Sequence, residues 1–290
     1  MNRLSQTLRW LALGETWRAR AVGVMGVLFL AGLIRVWAAK GAYPVPGDGA
    51  HFVQHGVELA HGNVASLSTY WSLGMILVAA GSIKVGVDPS LALQGLSLAS
   101  GVAVVAVIMA IAHVLFCQRR VALLSGLLVA TNPAMVQYSI AGYSEMAFMF
   151  LVCAGALSLL VARESGRAGG VVASLVLMGL AAYFRTLDAV VWCGVAVLYL
   201  LVDGFCGRPR CVLWLGLFVG GFLFLLLLVP MIANMHVRSG RWALTSKTEN
   251  LALGDQWSDS KAVYRVSGEA EPSTVYLRQH GTLSFLWEYR

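Results

Sequence analysis

Apolar residues run through most of the chain in blocks long enough to cross a bilayer. The blocks are Ala21–Ala39, Leu91–Phe116, Val121–Gln137, Ser144–Val161, Gly169–Phe184, Leu187–Val202 and Cys211–Met235. A helix needs about 20 predominantly apolar residues to traverse hydrocarbon. The pattern therefore predicts an all-α multi-pass membrane protein with about seven transmembrane helices. An eighth apolar stretch, Tyr70–Val85, is short, opens on Tyr-Trp and carries Lys84. The polar remainder falls into a first loop, 40–90, and a tail, 236–290, without a membrane-length run. This divides the chain into a transmembrane module, 1–235, and a polar tail. Within the tail, W-A-L-T-S, A-V-Y-R-V and S-T-V-Y-L suggest short strands or loops.

Arginines decide how the blocks are threaded. Arg3, Arg9, Arg18 and Arg20 precede the first block and place the N-terminus in the cytoplasm. That block starts late and is interrupted by Arg35 and Trp37, so it is expected to be an uncleaved span rather than a secretory signal. If Tyr70–Val85 does not cross, the gaps holding Arg119/Arg120, Arg163/Arg167 and Arg208/Arg210 all face the cytoplasm; if it crosses, all six move outside. The positive-inside bias thus makes Tyr70–Val85 re-entrant or interfacial. The loop with Asp48, the gap with Glu145, the turn with Arg185 and the tail then share the outer face.

Composition agrees: 58% of residues are hydrophobic and only 12% charged. The net charge of +7 does not point to nucleic acid, because the arginines fall as pairs in the short gaps between blocks. Five cysteines, Cys117, Cys153, Cys193, Cys206 and Cys211, form no CxxC pair and read as free thiols. There is no internal repeat and no low-complexity tract.

Few residues are left to carry chemistry. Asp48 sits in Y-P-V-P-G-D-G, ahead of a helical pattern in which Phe52, Leu59 and Ala60 are apolar contacts. It reads equally as a helix N-cap and as a catalytic acid, and the two roles are compatible. His51 and His55 are four apart on one helix face, so with Asp48 and Glu145 they form a candidate set for a divalent ion, Mg or Mn. The H-x-x-x-H spacing alone is a weak signal for it. Glu145 lies at the mouth of an apolar helix, where an ionisable group is either functional or a first-turn carboxylate favoured by the dipole. Arg185, in G-L-A-A-Y-F-R-T-L-D, either snorkels or pairs with Asp188, or else offers a guanidinium to a phosphate at headgroup level. Lys84 has the same two readings, snorkelling being the simpler.

This arrangement resembles the GT-C superfamily of membrane glycosyltransferases, which includes protein O-mannosyltransferases and lipid A aminoarabinose transferases. The family's first outer loop carries an acid, an aromatic and a short helix, as D-G-A-H-F-V-Q-H-G-V-E-L-A-H-G-N does here. Its second outer acid resembles Y-S-E-M-A-F-M-F-L, its next landmark resembles G-L-A-A-Y-F-R, and T-E-N-L-A-L-G-D is faintly similar to a later loop. The chain departs from the pattern at Gly49, where many relatives have a second acid, at Phe52, where the aromatic is usually Tyr, and in the lack of further spans or a sizeable outer domain. The resemblance implies Asp48 as the base for an acceptor hydroxyl, Glu145 as the second acid placing the acceptor or an ion, and Arg185 against the phosphate of a polyprenyl-phosphate-linked sugar.

The expected protein is a glycosyltransferase of the bacterial cytoplasmic membrane, the inner membrane of the cell envelope. It uses a lipid-phosphate sugar and an acceptor that is a glycan, a lipid or a protein. Two other readings stand beside it: a non-catalytic accessory or truncated relative, and a small transporter or flippase. The transporter reading is the weaker, since the charged residues gather at one face rather than at the midplane.

Overall fold

The computed structural model describes residues 16–40, 48–64, 67, 70–205, 211–240 and 242–245. Their regular structure is helical, with no strand among them. In chain order the helices are α1 (Thr16–Ala39), α2 (Asp48–Ala60), α3 (Leu73–Lys84), α4 (Pro89–Phe116), α5 (Arg119–Thr131), α6 (Pro133–Ile140), α7 (Ser144–Ser165), α8 (Ala168–Ala182), α9 (Thr186–Phe205) and α10 (Cys211–Ser239). Two compact units divide the chain, Met1–Pro230 and Met231–Arg290. In the second, the described residues are the end of α10 and a short segment in which Trp242 stacks on His236, ring centroids 3.9 Å apart. Most of the tail, including A-V-Y-R-V and S-T-V-Y-L, lies outside the described residues, as do Cys206 and the loop residues Arg208 and Arg210.

Among the described residues, four helices are long and apolar enough to cross a membrane: Ala21–Ala39, Pro89–Phe116, Ser144–Ser165 and Val212–Val237. The span expected over Val121–Gln137 is instead two helices, α5 and α6, bent by 58°. Asn132-Pro133 causes the break: proline has no N–H to donate and crowds the preceding residue out of the helical region. Asn132 adopts an extended backbone and its side chain accepts from the Met135 N–H at 3.1 Å, so it caps α6. Counting the bent pair as one, five spans are supported by length and composition. The stretches α8 and Thr186–Val202, expected as spans, are apolar but shorter.

Their packing is nevertheless extended along α7. The Ser158 hydroxyl donates to the Gly170 carbonyl at 3.0 Å near one end of α7, and Arg185, just past α8, reaches Glu145 at the other. Arg163, in the last turn of α7, lies over the Tyr199 ring of α9 at 5.5 Å. So α8 runs back along α7, and α9 then follows α7 in its own direction from Glu145 to Arg163.

The helix α3 has 12 residues, about 18 Å of rise, short of the roughly 30 Å of hydrocarbon. It packs on α2 and α4 around a core of Phe52, Met75, Ile76, Ala79 and Leu93, flanked by Trp71 and Phe184. Gly56 permits the α2–α3 approach, since a Cβ there would lie 2.5 Å from the Ala79 Cβ.

Arg35, read from sequence only as an interruption of the first span, is fully buried. Its Nε donates to the Ser139 hydroxyl at 3.0 Å, and Nη1 donates to the carbonyls of Ala31 at 3.1 Å and Ala130 at 3.2 Å. The Ala130 carbonyl belongs to the last turn of α5, where the break removes helical partners. Arg35 therefore supplies the donor that the Asn132-Pro133 break takes away.

Candidate active site

Three turns meet at the end of the bundle that carries the N-termini of α2, α3 and α7. The α6–α7 turn is pinned by α4: Gln94 Nε2 donates to the Ile140 carbonyl at 3.0 Å and the Ser97 hydroxyl donates to the Tyr143 carbonyl at 2.9 Å. The α8–α9 turn is pinned by the start of α3. The Gly74 N–H donates to the Tyr183 carbonyl at 2.7 Å, and the Ser72 hydroxyl donates to the same oxygen at 3.0 Å. A side chain at position 74 would press on that carbonyl and on the Phe184 ring, each 3.1 Å from its Cβ. The Tyr183 hydroxyl in turn donates to the Leu227 carbonyl of α10 at 2.8 Å.

These turns present the charged residues. Arg185 Nη1 donates to Glu145 Oε1 at 3.2 Å, and Arg185 Nε donates to Asp188 Oδ2. One guanidinium thus joins the first turn of α7 to the first turn of α9. With side chains 27% to 47% exposed, these pairs add about 0–1 kcal/mol each at most. Stability is a poor reason for such a cluster, whereas chemistry at an interface is a good one. Neither bond uses Nη2.

Asp48 occupies the first turn of α2, where the helix dipole favours an acid, and is exposed. Tyr143 links it to Glu145. The Tyr143 phenol is pushed above the usual tyrosine value, first by burial, then by the negative charges of Asp48 and Glu145, and by Tyr138. Asp48 and Glu145 therefore share one electrostatic neighbourhood, and Arg185 touches one of them. The rings of Tyr138 and Tyr143 lie 6.4 Å apart beside it.

The other expected residues are not drawn into this cluster. Lys84 is exposed at the far end of α3, ten residues from Gly74 or about 15 Å along the helix, where a cation suits the C-terminal dipole. His51 stacks on Trp71, with centroids 4.5 Å apart and planes within 13°. His55 Nδ1 faces Glu58 Oε2 at 3.9 Å. Among the described residues no three His, Cys, Asp or Glu side chains are grouped to hold a metal ion. Tyr143 and Trp71 were not among the sequence candidates. Tyr143 sits two residues before Glu145 in G-Y-S-E, and that adjacency was the available signal.

The profile of the dolichyl-phosphate-mannose-protein mannosyltransferase family matches residues 73–233, more than half of the chain. The match begins at the first residue of α3. It covers Lys84, Glu145 and Arg185 and leaves Asp48, His51 and His55 outside. No curated protein and no solved structure matches.

Proposed function

The chain belongs to the dolichyl-phosphate-mannose-protein mannosyltransferase family, within the GT-C superfamily, and from that premise we propose that it transfers a sugar from a polyprenyl-phosphate carrier to an acceptor hydroxyl at the outer face of the membrane. The observation that carries this reading is the Arg185–Glu145 ion pair beside Tyr143, whose phenol is raised by the charges of both Asp48 and Glu145. Residues from three separate turns converge at one end of the helices, where a carrier phosphate would lie with its tail among the spans.

In this reading the acceptor oxygen attacks the anomeric carbon while the bond from that carbon to the phosphate oxygen breaks. Asp48 takes the hydroxyl proton, general-base assistance contributing about 10²–10⁴-fold. The carrier phosphate leaves with the bonding pair, and the Nη2 edge of Arg185 stabilises its growing charge. Glu145 holds Arg185 in place and orients the acceptor. Displacement in one step inverts the anomeric centre. Seven crossings follow if α8 and α9 are counted, a reading supported by their extent along α7. With the N-terminus in the cytoplasm, Asp48, Glu145 and Arg185 then face outward.

The test uses purified protein, undecaprenyl phosphate and the corresponding lipid-phosphate sugar. Saturable carrier binding is expected, weakened by Arg185→Ala and retained by Asp48→Asn, with transfer lost in Asp48→Asn. Full transfer by folded Asp48→Asn would remove the base from the scheme, and no saturable binding by a folded sample would remove the donor class.

A further inference from the structure

A second site lies at the other end of the bundle. A cavity of about 350 Å³ opens between α1, α4, α5 and α7. Its walls are apolar except for His113 and Arg119, and the small side chains of Ala106, Ala110 and Ala122 leave the room for it. Ala110 is sixteen residues along α4 from Gln94, about 24 Å, so the cavity is well removed from Asp48, Glu145 and Arg185.

Arg119 lines the cavity and also an adjoining depression shared with Gln118, Arg120 and Leu123. These arginines begin α5, whose first turn holds no acid and whose N-cap Gln118 makes no side-chain cap bond. Two cations at a helix N-terminus oppose its dipole, so helix stability does not account for them. An anion beside them would be held by both guanidinium groups.

We propose that this is a binding site for a lipid with an anionic headgroup, in the leaflet opposite the transfer site. One chain occupies the apolar cavity and the headgroup phosphate lies against Arg119 and Arg120. Apolar volume and cationic rim meet at the level where a headgroup joins its chains, a complementarity that a zwitterionic lipid satisfies only in part. The site is independent of the donor site, and its failure would leave the transferase reading untouched.

The experiment is native mass spectrometry of the detergent-purified full chain titrated with dioleoyl phosphatidylglycerol, and separately with the matching phosphatidylcholine. Saturable retention of phosphatidylglycerol is expected in preference to phosphatidylcholine. Ala110→Trp, which fills the cavity, should abolish it. Arg120→Gln, at the exposed rim, should cut the preference about fivefold, and Arg185→Ala should leave it unchanged. The proposal is overturned by non-saturable or equal retention of the two lipids, by full retention in folded Ala110→Trp, or by loss in Arg185→Ala. If Ala110→Trp fails to fold by circular dichroism, the result for Arg120→Gln decides: an unaltered preference overturns the proposal.

Discussion

Single side chains at the site are set by neighbours far away in sequence. Tyr143 shows this best: burial and the charges of Asp48 and Glu145 all favour its neutral phenol. A phenol whose value is raised on folding adds stability that is fully present below the ordinary value of about 10 and is lost as the pH climbs through the raised value. The loss of thermal stability above pH 10 should therefore be smaller in Tyr143→Phe than in the wild type, read from melting curves across alkaline pH. The companion expectation is that Asp48→Asn lowers the Tyr143 titration, measured as tyrosinate absorbance against Tyr143→Phe. Arg35 makes the same point inside the bundle. Arg35→Met would leave the Ser139 hydroxyl and the Ala130 carbonyl without this donor, at about 1–3 kcal/mol, and Arg35→Lys should recover part of the lost melting temperature.

At the scale of helices, close contacts govern where the site residues stand. Gly56→Ala would force α2 away from α3, because the new Cβ would lie 2.5 Å from that of Ala79. Overpacking of this kind costs about 1–3 kcal/mol. Since Asp48 rides on α2, transfer should fall further than thermal stability does, as parallel melting and activity measurements would show. The long apolar helices and the acids at the mouths of α2 and α7 were legible in sequence, because hydropathy and dipole preference are local properties. The break at Asn132-Pro133 also carried a local signal, a capping residue before proline, but the length of the apolar run outweighed it. Burial of Arg35 had no such signal. It depends on Ser139, 104 positions away, and sequence spacing shows only that an arginine stands in an apolar helix. The pairing of Arg185 with Asp188 was readable from their separation of three, whereas its bond to Glu145 required the α8 helix to run back along α7.

For the molecule as a whole, the threading proposed above has a direct readout. Cys117 is exposed at the end of α4 opposite the transfer site. A membrane-impermeant maleimide should label it in inverted vesicles and not in intact cells, while a cysteine placed at His61 should show the reverse. Labelling of both from the same side would break the scheme. Net charge, +7 over the full sequence, is also a poor guide to what a donor meets on arrival. Arg185 already holds Glu145 and Asp188, and Asp48 acts on the same phenol as Glu145. Locally, carboxylates outnumber the guanidinium, so an incoming phosphate enters a field that repels it even as Nη2 attracts it. Dissolved ions weaken the longer-range repulsion more than the short contact. Carrier affinity should accordingly hold or rise as sodium chloride is increased from a few millimolar toward about 0.15 M, the opposite sign to that of a bare arginine cradle.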